Sequence, residues 1–260
     1  MAELMRLDVE DGVACLQFLK PEQRNPYSIQ FVEELVLHLD EASRRDDIRA
    51  LVMTGNAHFS SGGDLHGFQN EIVKGARATQ NLLDLANQGV RAAYNFPKPL
   101  IAGVEGVCYG GGMSLALCAD FIICSSNAKF CQVFAQVGGC PDTGSSWLLQ
   151  KRAGTAVAKT LVLTAREIDG STAVSLGIAD EVTGEQETLN RAKELAREIA
   201  KHPQFGVMTA KRVLRDVAST TFDAALEIEG RAQSLLLCAH DFPEAMTAFS
   251  EKRKPVFNDK

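Results

Sequence analysis

A chain of 260 residues with 45% hydrophobic content can bury a sizeable core, as one large domain or one and a half. Its net charge of −6 and pI near 5.5 exclude a broad basic face, so neither nucleic acid nor anionic membrane is an expected partner. Apolar stretches are interrupted at Lys98, Glu105 and Asp120 before any could span a bilayer. "MAELMRLDVEDGVACL" has no basic segment followed by an apolar one, so a cytoplasmic protein is expected.

Taken in chain order, "GVACLQFL" (12–19) predicts a strand that ends in the turn "KPEQRNP". Phe31, Val32, Leu35, Val36 and Leu39 fall at helical spacing, with Ser28 placed to cap the start. "IRALVMTG" predicts a buried strand ended by Gly55, then the glycine turn "FSSGGDL" (59–65) and polar helical sequence to about Asn95. "KPLIAGVEGVC" predicts a third strand, "GGGMSLALCAD" a helix with a glycine first turn, and "FIICSS" a fourth strand. This alternation predicts an α/β architecture with parallel strands. After about residue 150 the segments read as helices. The expected organisation is a core over 1–200 and a helical region over 201–260. Seven cysteines, an odd number without a C-x-x-C pair, read as reduced core residues, and five scattered histidines suggest no metal site.

The turns "FSSGGDL" and "YGGGMSLAL" each follow a predicted strand and let a ligand approach the backbone. Taken singly, each is equally a tight strand–helix connection. Where a glycine turn opens a helix, free N–H groups face outward, and two such turns meeting at one point would form an oxyanion hole. Neither matches a nucleotide-binding glycine pattern.

Together with "KPLIAGVEGVCYGGGMSLALCAD", "FCQVFAQVGGCPDTGSSWLL" and "AFSEKRKPVF", the first of these turns resembles the crotonase (enoyl-CoA hydratase/isomerase) superfamily along essentially the whole chain. The resemblance implies a spiral of ββα turns, a helical C-terminal region that completes the acyl-CoA site, and a homotrimer or homohexamer. It implies an acyl-CoA thioester as substrate, with coenzyme A arriving as part of it and no separate cofactor. The backbone N–H groups that polarise the thioester fall on Gly63 and Gly111. Substrate contacts fall on Arg24, Ser61, Asp64, Leu65, Phe134, Trp147, Phe249 and Lys252. For Arg24, Phe249 and Lys252 a solvated surface role stands beside that reading.

Hydratases of that family use two glutamates, whose positions here hold Ser114 and Phe134. No glutamate occurs between Glu105 and Glu167, and the only acids in that window are Asp120 and Asp142. Asp120, at a helix–strand junction, reads as a backbone hydrogen-bond acceptor. Asp142, in "CPDTGSSWLL", matches members that carry a catalytic aspartate there, among them the 1,2-epoxyphenylacetyl-CoA isomerase branch. On its residues alone it could equally be a turn residue or the N-cap of a helix starting near Thr143. Phe134, Val137 and Trp147 are candidates to keep its pocket apolar. One carboxylate that removes and returns a proton suits double-bond migration better than hydration, which must also orient water. A hydratase using Asp142 alone and a non-catalytic acyl-CoA-binding homologue are the alternatives. A dehalogenase-like route lacks its histidine, since Asn87 stands where one would align.

Overall fold

The computed structural model describes residues 3–258, so the outermost two residues of the expected 1–200 and 201–260 regions lie outside the described residues. Strands β1 (Met5–Glu10) and β2 (Val13–Phe18) form an antiparallel hairpin. Its turn residues Asp11 and Gly12 both have positive φ, the geometry an Asp-Gly pair favours. Helix α1 (Ile29–Arg44) starts where Ser28 accepts the Phe31 N–H, as its sequence predicts. Then follow β3 (Ala50–Thr54), α2 (Leu65–Ile72) and α3 (Ala76–Tyr94).

The stretch 98–108, expected as one strand, is two. β4 (Leu100–Val104) and β5 (Val107–Tyr109) belong to different sheets, and the chain turns between them at Gly106, with φ of 51°. Helix α4 (Gly110–Leu117) follows β5 without a linker, then β6 (Phe121–Ser125) and β7 (Lys129–Cys131). α5 (Ser145–Thr164) bends at Gly154. The region after 150 also holds two short strands that apolar patterning did not reveal, β8 (Ile168–Asp169) and β9 (Glu181–Thr183), flanking α6 (Gly170–Ser175). α7 (Thr188–Ala200), α8 (Gln204–Val217), α9 (Phe222–Cys238) and α10 (Asp241–Ser250) complete the chain.

The larger sheet runs β1-β2-β3-β4-β6-β9 and is parallel from β2 onward; the smaller runs β5-β7-β8. Strand alternation loads the larger sheet on both faces. Leu51 and Met53 join Phe18, Phe31 and Phe59 in the main core, while Ala50 and Val52 face Ala192 and Ala196 of α7. Phe18 packs edge-on against Phe31 and Phe59, and burying each such ring is worth about 1.5–3 kcal/mol. The chain is thus a mixed α/β fold with a helical C-terminal end. The free thiols of Cys15, Cys108, Cys118, Cys124 and Cys131 are buried as expected, whereas Cys140 and Cys238 are exposed, on a loop and on α9. Among the described residues no helix is long and apolar enough to cross a membrane.

Candidate active site

The first glycine turn is built around Asn25, which is only 1% exposed and has positive φ. Its side chain donates to the carbonyls of Gly55 and His58 and accepts the Lys20 N–H. Ser60 Oγ donates to the Asn25 carbonyl at 2.7 Å and accepts the Gly62 N–H at 3.2 Å. Backbone bonds from Ser61 N to Arg24 O and from Tyr27 N to Gly62 O lay residues 24–27 along the turn. His58 is no free surface group: Nδ1 accepts the Val107 N–H, and burial, with the charge of Arg24, holds the imidazole pKa below its ordinary value.

The second turn is bound to the first. Ser60 N donates to Val107 O and Tyr109 N donates to Ser60 O, so the turn edge pairs with β5 just before α4 begins. This contact leaves no room for side chains. A methyl group at Gly62 would lie 2.7 Å from the Tyr109 carbonyl oxygen, and one at Gly112 would lie 2.6 Å from Ser60 Cβ. The same methyl at Gly62 would also lie 3.4 Å from the backbone nitrogen of Gly111. Among the described residues no acceptor takes the N–H of Gly63 or of Gly111. Two free donors therefore stand on adjoining turns, the second in the first turn of a helix.

Asp142 reaches the same place from the loop between the 3-10 turn Val133–Val137 and α5. Its carboxylate does not cap α5, whose N-cap is Gly144 and has no side-chain cap bond. Thr143 and Gly144 are both left-handed, with φ of 47° and 76°. For β-branched Thr143 that conformation costs about 1–2 kcal/mol. Thr143 is 5% exposed, and its hydroxyl lies 3.2 Å from Asp142 Oδ1 and 2.8 Å from Ser114 Oγ on α4. A methyl at Gly111 would lie 3.8 Å from that hydroxyl and 3.7 Å from the Tyr27 ring. Burial raises the Asp142 pKa above its ordinary value, opposed by the Thr143 hydrogen bond, and no lysine, arginine or histidine acts on it. Tyr27 is buried, donates to the Ala86 carbonyl, and is itself pushed up by burial and by the Asp142 charge.

Phe134 joins this cluster, its ring tip 3.8 Å from where a Gly110 methyl would stand. Arg24 is exposed at the rim, and Ser61 is half-buried in the turn. Asp64 caps α2 by accepting the Gly67 N–H, and Leu65 begins that helix, exposed. Val137 is exposed on the 3-10 turn. Trp147 lies elsewhere: it is 48% exposed, stacks edge-on with Tyr94 and carries Lys151 over its ring. It lines a separate cavity of about 650 Å³ with Leu117, Leu148, Lys211 and Leu214. Phe249 on α10 is 83% exposed and Lys252 follows it; no bond or ring contact among the described residues ties either to Asp142. Asp120 does accept the Leu100 N–H, and also pairs with Lys211 at 2.6 Å. Sequence reasoning missed Thr143, Tyr27 and the rim contact of Tyr109 with Glu167. Only the run of Thr143 with Gly144, a turn signal, pointed to the first. Among the described residues no cluster of three His, Cys, Asp or Glu could hold a metal ion.

Two adjoining glycine turns on a split pair of sheets, with one acid facing them, define a crotonase-type fold, and the comparisons agree. The Enoyl-CoA hydratase/isomerase family profile matches residues 8–260, and the chain belongs to that family, within the crotonase superfamily. It is 32% identical over 262 residues, covering 100% of both chains, to the 1,2-epoxyphenylacetyl-CoA isomerase of Escherichia coli K12. It is likewise 32% identical to a crotonyl-CoA hydratase of Syntrophomonas wolfei, covering 98% of this chain and 97% of the other. The crystal structure of an enoyl-CoA hydratase from Polaromonas sp. JS666 superposes with a TM-score of 0.93 at 27% identity, covering 98% of this chain and 99% of that one.

Proposed function

We propose that this family enzyme is an acyl-CoA isomerase that shifts a double bond, or rearranges a ring epoxide, in an enoyl-CoA thioester. The observation that carries the reading is a single half-buried carboxylate, Asp142, held through Thr143 beside the free N–H of Gly111. A thioester α-proton is too weakly acidic for a free carboxylate. The N–H groups of Gly63 and Gly111, as an oxyanion hole, would hold the enolate oxygen, and each such donor is typically worth ~3–4 kcal/mol. Desolvation makes Asp142 a stronger base. Asp142 removes a proton from one carbon, the C–H electron pair passes into the enolate, and the same carboxyl returns the proton to another carbon.

Hydration asks for a second group to orient water. The two positions that resemble the hydratase glutamates are Ser114, whose hydroxyl is engaged with Thr143, and Phe134, which is apolar. An isomerase among the relatives supports the same choice, and the hydratase names set the competing outcome. We also infer a homotrimer or homohexamer, because α9 and α10 leave Phe222, Leu235 and Phe249 uncovered. In such an assembly Phe249 and Lys252 would meet a neighbouring copy's acyl-CoA.

The test is incubation with 2-enoyl-, 3-enoyl- and ring-epoxide acyl-CoAs in deuterated water, with products followed by mass and ultraviolet absorbance. Isomerisation leaves the skeleton mass unchanged apart from deuterium exchanged at the α or γ carbon. A product heavier by one water would make the protein a hydratase. Tight coenzyme A binding with no turnover would make it a non-catalytic homologue.

A further inference from the structure

Thr143 Oγ1 lies 3.2 Å from Asp142 Oδ1 and 2.8 Å from Ser114 Oγ, and Ser114 Oγ lies 3.2 Å from the Gly110 carbonyl oxygen. Two hydroxyls therefore span three contacts with two protons, each free to rotate about its C–O bond. Only two arrangements keep a proton between Thr143 and Ser114 and use both donors. In the first, Thr143 donates to Asp142 and Ser114 donates to Thr143. In the second, Thr143 donates to Ser114 and Ser114 donates to the Gly110 carbonyl. An ionised Asp142 selects the first, because a hydrogen bond to a carboxylate is roughly twice as strong as one between neutral groups. A neutral Asp142 is a weaker acceptor and releases Thr143 to its closer partner, Ser114.

The Gly110 carbonyl and the Gly111 N–H belong to one planar peptide unit. A donor on that carbonyl polarises the unit and strengthens its N–H as a donor, by ~10–30% on condensed-phase estimates. We propose that Thr143 and Ser114 are positioning residues that form a two-state hydrogen-bond switch, coupling proton uptake by Asp142 to stronger donation by the Gly111 N–H. The switch rests on the isomerase reading of the site. When Asp142 takes the α-proton, the C–H bond breaks and its electron pair moves onto the thioester enolate. The hydroxyls only rotate and exchange no proton. The donor strengthens at the step that places charge on the oxygen, and relaxes when Asp142 returns the proton. The strained, buried backbone of Thr143 is what brings its hydroxyl within reach of both partners. Among the described residues Tyr27, from the segment before α1, feels the Asp142 charge, Cys118, just past α4, donates to the Ser114 carbonyl, and no second carboxylate acts on Asp142.

The test combines kinetics with isotope-edited infrared spectroscopy of bound 2,2-dimethylpropanoyl-CoA, which has no α-proton and carries a carbon-13 thioester carbonyl. In the wild type the carbonyl stretch should fall in frequency as pH drops through the titration of Asp142. In Thr143→Val and Ser114→Ala at least half of that movement should vanish. For both variants kcat on a 3-enoyl-CoA should fall about 5- to 10-fold, the scale of one hydrogen bond, with KM within about twofold. Thr143→Ser, which restores the hydroxyl, should recover both readouts. A carbonyl response in Ser114→Ala and Thr143→Val equal to that of the wild type would overturn the switch while leaving Asp142 as the base. Wild-type turnover by Asp142→Asn would instead remove the base, and the switch with it.

Discussion

Leu51, Met53 and Phe59 are wholly buried by their own chain, whereas Phe222, Leu235 and Phe249 on α9 and α10 keep 77%, 63% and 83% of their surface. Both sets are apolar; Leu51 and Met53 sit on β3 and Phe59 at the glycine turn, and the second set sits on helices. In the core, strands and glycine turns close on each other through intrachain bonds such as Ser60 to Asn25, which set the geometry of the two turns. The C-terminal helices hold to the core mainly through α8, by polar ties such as Lys211 to the Lys98 carbonyl and to Asp120. Exposed apolar side chains on these helices are where the proposed assembly would form. Changes in the core should therefore act on chemistry and folding, and changes in α9 and α10 on assembly.

The largest effect is expected at the site itself. Asp142→Asn keeps the shape but removes the base, and the rate on a 3-enoyl-CoA should fall ~10²–10⁴-fold with acyl-CoA affinity little changed. Equal rates would leave Asp142 a loop residue. Two adjacent glycines then separate chemistry from packing. At Gly112 a methyl meets Ser60 Cβ at 2.6 Å, so Gly112→Ala should cost about 2–3 kcal/mol in urea unfolding. At Gly111 the nearest atoms are 3.7 Å away, so Gly111→Ala should fold within about 1 kcal/mol of wild type and still lose turnover. If Gly111→Ala were fully active, a methyl group there would not stand in the way of the substrate's approach to the N–H.

The junction between the regions comes next. Burial lowers the Lys211 pKa, and Asp120 supports it at 2.6 Å. Lys211→Met should cost about 1–3 kcal/mol by leaving Asp120 without its ion pair in a half-buried place. Hydrogen exchange should show α8 opening before the sheet does. On the exposed side, Leu235→Glu should move the stability of the isolated chain by less than about 0.5 kcal/mol and reduce the sedimenting mass. A monomeric wild type would break the comparison there. The smallest effect is again at Asp142. Its raised folded-state pKa favours the folded chain below the ordinary aspartate value, and that contribution is lost as pH rises through the raised one. Asp142→Asn escapes the loss. Its Tm should exceed that of wild type by about 1–3 °C at neutral pH, with the gap closing in acid.

Patterning alone predicted α1 with its Ser28 cap, the buried β3, and the glycine start of α4, because each depends on neighbours within a turn or two. It missed β1, whose alternation is polar on its outer face, although the Asp11–Gly12 pair was a hairpin signal. It also merged β4 with β5, since five buried residues followed by two more read as one apolar run until the second sheet pulls them apart. Of the site, Asp142, one of two acids between Glu105 and Glu167, and the two glycine turns were visible as residue types. The cluster formed by Asp142 with Tyr27, Thr143 and Ser114 was not, since its members are up to 116 positions apart.

By itself the sequence determined the family, the α/β alternation, the absence of glutamate between Glu105 and Glu167 and the presence there of Asp120 and Asp142. Those are properties of residue identity and local order. Only the tertiary structure decided that Asp142 is not a helix cap, that Trp147 faces a different cavity, and that Thr143 links the acid to Ser114 on α4. The reason is physical. A carboxylate's pKa and a hydroxyl's partner are set by which distant segments exclude water around them, and that exclusion exists only once the turns have packed.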